Sequence, residues 1–232
     1  MSERFFSDSP IAGDAARLTG AEAQHLARVM RAQVGDEVIL FDGGGDEFTG
    51  RITAISKSAV DLEITERRSL DRELPHQLTL AVALPKGDRQ KVLVEKLTEL
   101  GVTRLIPLIT QRGVAQPVES ALDRLSRSVI EASKQCGRNR LMEIAAPVDV
   151  AQLAEAAPSA VLRLVAHPDG ERLAELGGAS GDILAAVGPE GGFTDAEVSA
   201  LERAGWRRVA LGPRILRIET AAMALAAWAS LR

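Results

Sequence analysis

One cysteine is too few to cross-link a chain, so Cys136 excludes an internal disulfide and argues against a metal site built from thiolates. The three histidines, at 25, 76 and 167, share no metal-ligand spacing, and no metal is expected. Long apolar runs are missing too. None reaches the length of a membrane span, no stretch of the signal-peptide kind follows MSERFFSDSP, and a cytoplasmic location is expected. Positive charge is not in excess: 28 Lys and Arg stand against 32 Asp and Glu, a net charge of -4. That balance argues against a protein that coats nucleic acid by bulk electrostatics, so any RNA contact must come from local patches. No G-x-G-x-x-G opens a helix after a strand, which weighs against a dinucleotide-dependent oxidoreductase. Internal repeats and low-complexity segments are absent as well.

What is present suits a medium domain plus a small one: 232 residues, 46% hydrophobic and 26% charged. Residues 1–70 read as a small β-rich unit. EVILFD and EFTGRITAI are strand-like runs joined at Gly43, Gly44 and Gly45, a hairpin turn, and AVDLEITE adds a third strand. The triple glycine opens no helix and lacks a P-loop lysine, so a phosphate loop is the weaker reading. A short helix, AEAQHLARVMR, precedes them with Leu26, Val29 and Met30 on one side. TERRSLDRELPHQ is charged, contains Pro75 and marks the boundary; the second domain is placed at 76–232. From HQLTLAVAL onward strands and helices alternate. VTRLIPLI, AVLRLVAH, DILAAVG and RRVALG read as strands, with helices over 88–100 and 119–135, which predicts a mostly parallel sheet covered by helices.

The most informative stretch runs from Gly188 to Ala222. It holds two glycine- and proline-containing turns, each directly after a short apolar run, LAAV before one and RVAL before the other. Each run reads as a buried strand that stops where its backbone must bend. Gly191 and Gly192 remove two side chains, so a ligand can approach the main chain. Thr194 as N-cap, Glu197 as its capping-box partner and Phe193 stapled against Val198 then start a helix. The second turn, LGPRILRIETA, sets Arg214 and Arg217 around Ile215 and Leu216 before AAMALAAWASL, a buried alanine-rich helix. Both turns also suit ordinary strand-to-helix connections of an α/β domain.

QCGRNR at 135–140, the GPEGG loop at 188–192 and LGPRILRIETA at 211–221, in that order, resemble the SPOUT class of S-adenosylmethionine-dependent RNA methyltransferases, and within it the ribosomal RNA small-subunit methyltransferase E family. The resemblance covers essentially the whole chain. One position departs: Ile218 stands where the family carries threonine, so no hydroxyl is available there. The resemblance implies an α/β SPOUT-type parallel sheet with a carboxy-terminal trefoil knot, preceded by a PUA-like β-barrel that contacts RNA. It also implies a homodimer that binds S-adenosylmethionine and methylates ring nitrogen three of a uridine in 16S ribosomal RNA, naked or in the small subunit. Ribose 2′-O-methylation by the same fold, and a non-catalytic RNA-binding or assembly role, stay open.

On that reading the donor is held by Gly188, Pro189, Glu190, Gly191 and Gly192 in the first loop. Leu211, Gly212, Ile215, Leu216, Arg217 and Ala221 serve in the second, and Ala166 and His167 in a third. His167 reads equally as a satisfied strand-end histidine. The uracil nitrogen attacks as its anion, and Arg217 is the expected guanidinium to stabilise it. Glu190 and Glu219 are candidates to accept the proton or orient a partner. RNA contacts are expected from Arg4 beside Phe6, from Arg28 and Arg31, from Lys86 and Arg89, and from Gln135, Arg138 and Arg140 of the most basic stretch.

Overall fold

The structure is a computed structural model that describes residues 4–115, 117–156, 162–176 and 181–231. It divides into two compact units, Met1–Glu73 with Ser133–Leu141, and Leu74–Ala132 with Met142–Arg232.

The first unit contains β1 (Arg4–Phe6), β2 (Ala15–Thr19), α1 (Gly20–Gln24), β3 (Glu37–Phe41), β4 (Asp46–Ile55) and β5 (Ala59–Ser69). They form a five-stranded sheet in the order β1-β3-β4-β5-β2, antiparallel except for β1 against β3. The triple glycine is the hairpin turn between β3 and β4. Asp42 accepts the Gly44 N–H at 2.9 Å, and Gly43 and Gly45 adopt φ of 84° and 109°, where a side chain is strained. Alternate residues of the strands turn inward, and Phe5, Leu18, Leu40, Phe48, Ile52 and Leu62 make one core. The helix departs from its expected face. After Gln24 it widens into a π-helical turn, His25–Val29, in which the Met30 N–H reaches the His25 carbonyl at 3.1 Å. The wider turn rotates each residue by less than an α-helix does, so Leu26 is buried while Val29 is 69% exposed.

Ser133–Leu141 enters this unit through charge. Arg138 is 4% exposed and grips Glu73 with Nε at 2.9 Å and Nη2 at 2.6 Å. Arg4 pairs with Glu47, bonds the buried Asn139 side chain at 2.6 Å and lies over the Phe41 ring. Lys134 bonds Glu22 at 2.8 Å. Two of the arginines expected to face RNA, Arg4 and Arg138, are thus committed to internal carboxylates. Arg138→Ala strands the Glu73 carboxylate and is expected to cost roughly 3 kcal/mol, the scale for breaking a buried pair. Adding Glu73→Ala should recover much of it, and urea titration of the single and double variants checks both.

The second unit follows the alternation: β6 (Leu78–Val82), α2 (Arg89–Glu99), β7 (Arg104–Ile109), α3 (Glu119–Cys136), β8 (Glu143–Ile144), β9 (Val148–Asp149), α4 (Val150–Ala156), β10 (Leu162–Arg172), β11 (Ile183–Val187), α5 (Asp195–Arg203), β12 (Arg207–Ala210) and α6 (Ile218–Ser230). Ala160 and Val161, at the expected start of β10, lie outside the described residues. The seven strands run parallel in the order β12-β10-β11-β6-β7-β8, with β9 also on β7. Every residue of the central β11, ILAAV, is buried, as a strand covered on both faces requires. The all-round burial expected of α6 is not what forms. Ile218, Ala221, Ala222, Leu225, Ala226 and Ala229 bury one face against α2, β6 and β11, while Met223, Ala227 and Trp228 are half-buried on the other. The alanines set the close approach; the other side of the helix is only partly covered. Among the described residues no helix is long and apolar enough to cross a membrane.

Candidate active site

β11, β10 and β12 are neighbours and parallel, so their carboxyl ends emerge side by side. The three loops that follow line one cleft of about 560 Å³. In the first, β10 interrupts its pairing: Ala166 and Glu171 both sit opposite Val209, and the residues between them bulge out. This puts His167, Pro168 and Asp169 on the cleft wall. Gly170 is what lets the bulge close, because a Cβ there would stand 2.4 Å from the Val209 backbone nitrogen. Within the bulge the Asp169 N–H donates to Nδ1 of His167 at 3.2 Å.

The second loop begins at Gly188, where a Cβ would lie 2.9 Å from the Phe193 ring. Phe193 is folded back under the loop into the core that holds Val198. A turn then closes from the Gly192 N–H to the Pro189 carbonyl at 2.8 Å, with Gly192 at φ 69°. The capping box forms in full: Glu197 takes the Thr194 N–H at 2.8 Å, and its other oxygen takes the Gln111 N–H at 2.8 Å. The loop after β7 adds Arg112, whose Nη1 donates to the Gly191 carbonyl at 2.9 Å. In the third loop Gly212 turns at φ 124° and Arg217 caps α6 in an extended conformation. At Gly192 and Gly212 a Cβ would meet nothing within 4 Å, so bare main chain faces open space there.

The cleft gathers every residue expected to hold a donor except Arg217. Arg217 is exposed at the start of α6, outside the lining. Glu190 lines the cleft; Glu219 does not, being 8% exposed and turned to Arg89. Arg89 also reaches Glu190, with Nη2 at 3.1 Å from Oε1. Lys86, Arg28, Arg31, Gln135 and Arg140 are exposed, whereas Phe6 is half-buried with its ring 5.3 Å from that of Phe41. Sequence reasoning missed Arg112 and Asp169. Their only signal is position, Arg112 just beyond the end of β7 and Asp169 in the bulge within β10. Among the described residues no group of three or more histidine, cysteine or carboxylate side chains is arranged to hold a metal.

Comparison with known proteins bears on this arrangement. A family model described as an RNA methyltransferase domain matches residues 72–230, and one described as an RNA methyltransferase PUA domain matches 18–65. The chain is 38% identical to the ribosomal RNA small subunit methyltransferase E of Synechocystis, over 88% of this chain and 69% of that protein. Against the Bacillus subtilis protein of the same name it is 32% identical, over 88% and 85%. The crystal structure of the Neisseria gonorrhoeae protein of that name, bound to S-adenosyl methionine, is 32% identical, superposes with a TM-score of 0.91 and covers 98% of this chain and 96% of its own.

Gly170 gives the site its most local test. Gly170→Ala must push the 167–170 bulge off β12, at a cost of about 2 kcal/mol or more as an overpacked substitution. The urea midpoint is expected to fall, and hydrogen exchange at His167–Glu171 to speed up; an unchanged midpoint and unchanged exchange would show that the loop has room.

Proposed function

The chain belongs to the ribosomal RNA small subunit methyltransferase E family, and on that premise we propose that it transfers the methyl group of S-adenosylmethionine to ring nitrogen three of a uridine in 16S ribosomal RNA. The observation that carries the reading is the convergence of three parallel strand ends on a single cleft walled by main chain and small residues. Its residues fit the donor. Gly191, Gly192 and Gly212 offer backbone groups to the polar adenine and ribose, and Leu211 and Leu216 give apolar walls. When bound, the donor supplies a methyl group on a positively charged sulfur that leaves as a neutral thioether.

The chain's own contribution is placement and charge. Arg112 and the capping box at Thr194 and Glu197 hold the glycine loop in one shape, so the cleft is organised before a ligand arrives. Arg217, at the start of α6 beside the lining residues Leu216 and Ile218, is the cation proposed to meet the uracil anion as its proton is lost. An arginine suits the task because it stays charged at any working pH.

Three further parts of the reading rest on the family. The carboxy-terminal segment is proposed to thread as a trefoil knot, supported by β12 lying at the edge of the sheet beside β10 while α6 returns over β6 and β11. A cytoplasmic homodimer is proposed, supported by the half-buried second face of α6. The partner is 16S ribosomal RNA or the small subunit, reached through the exposed Arg28, Arg31, Lys86, Gln135 and Arg140.

Mass mapping of 16S ribosomal RNA from cells lacking the protein is expected to show one uridine without its base methyl group. Loss of an alkali-protected linkage instead would point to ribose methylation. Arg217→Ala is expected to bind S-adenosylmethionine within a few-fold of the parent by calorimetry and to turn over about a hundredfold more slowly, the scale for losing one electrostatic stabiliser. Turnover close to the parent's removes Arg217 from the mechanism.

A further inference from the structure

Arg89 is the first residue of α2, at the end of a turn fixed by Gly87 at φ 62° and by the Gln90 side chain, which bonds the Pro85 carbonyl at 2.8 Å. Its guanidinium divides between two carboxylates, one on the cleft wall and one buried behind it at the start of α6. Nη2 lies 3.1 Å from Oε1 of Glu190, between Pro189 and Gly191 of the glycine loop. Nη1 lies 3.7 Å from Oε2 of Glu219, directly after Ile218 at the start of α6. That second oxygen is buried and accepts no hydrogen bond among the described residues. A buried carboxylate oxygen without a hydrogen bond depends on the nearby cation for compensation.

The geometry points to Arg89 as a positioning residue, a strap that holds the glycine loop and the start of α6 in register around the donor, and not as a ligand of RNA phosphate. Glu190 and Glu219 are the two ends of that strap. The Arg89–Glu190 contact is half-exposed and modest by itself. The larger effect comes from Glu219, because loss of Arg89 leaves its buried Oε2 without a cation opposite among the described residues. Arginine is required for the reach: its fork addresses two carboxylates at once, while a lysine ammonium is a single point charge.

The inference rests on the donor occupying the cleft, so the test begins with the parent protein. Calorimetry should show it binding S-adenosylmethionine; failure there removes the proposed function and leaves the strap to be judged by hydrogen exchange alone. In Arg89→Ala the donor Kd is expected to rise about tenfold, and exchange at 188–192 and 218–221 to speed up. Arg89→Lys should fall between the parent and Arg89→Ala. Adding Glu219→Gln to Arg89→Ala removes the stranded charge and should restore the Kd to within about threefold of the parent, a rescue that a simple packing role does not produce. RNA binding measured across a salt series should keep its slope in Arg89→Ala, whereas a phosphate ligand would lower it by about one. An unchanged donor Kd together with a shallower salt slope, or unchanged exchange in both segments, overturns the strap. Should Arg89→Ala fail to fold, Glu190→Gln carries the same measurements: a few-fold weaker Kd and faster exchange at 188–192 support the strap, and parental values of both refute it.

Discussion

Parallel pairing makes every strand of the larger sheet release its chain at the same edge, and β10, β11 and β12 do so as immediate neighbours. An antiparallel strand among them would send one of the three loops to the opposite edge. From that shared direction follows the need to keep the three exits open against one another. Main chain does most of it: a bulge that passes over Val209 without a side chain, a turn closed by Gly192, and a glycine after β12 in a conformation other residues resist. Side chains then fix what the glycines leave loose. Arg112 takes the Gly191 carbonyl, Glu197 serves both its own helix and the end of β7, and Arg89 divides between Glu190 and Glu219. Flexible residues shape the cleft and charged ones around it remove the flexibility.

Which parts of this were legible in the sequence depends on how far apart the interacting residues lie. Alternation located β4 and β5, and short apolar runs located β3 and the core strands of the sheet. The capping box was readable because its partners are three residues apart. Strands of two or three residues, β1, β8 and β9, show no period and were missed. The π-helical turn carried no warning either: HLARV is compatible with an α-helix, and packing of the small unit decides against it.

At the cleft, the glycine loops were visible as composition, but their restraints were not. Arg89 is 101 residues from Glu190 and Gly170 is 39 from Val209 in numbering alone, and no local rule connects them. Arg4 and Arg138 looked like solvent-facing cations for the same reason. A guanidinium next to aromatic residues, or at the end of a basic helix, reads alike whether its carboxylate is on a ligand or on a distant strand of the same chain.

The small unit is assembled from two separated pieces of chain, because Ser133–Leu141 belongs with Met1–Glu73. Cutting the gene at the apparent boundary would therefore not liberate a working module. A fragment ending at Glu73 would keep its strands and most of its oily interior, yet Glu73 would lose Arg138 and Glu22 would lose Lys134. To transplant this module, a protein engineer would have to supply the missing peptide in trans or splice it on through a linker.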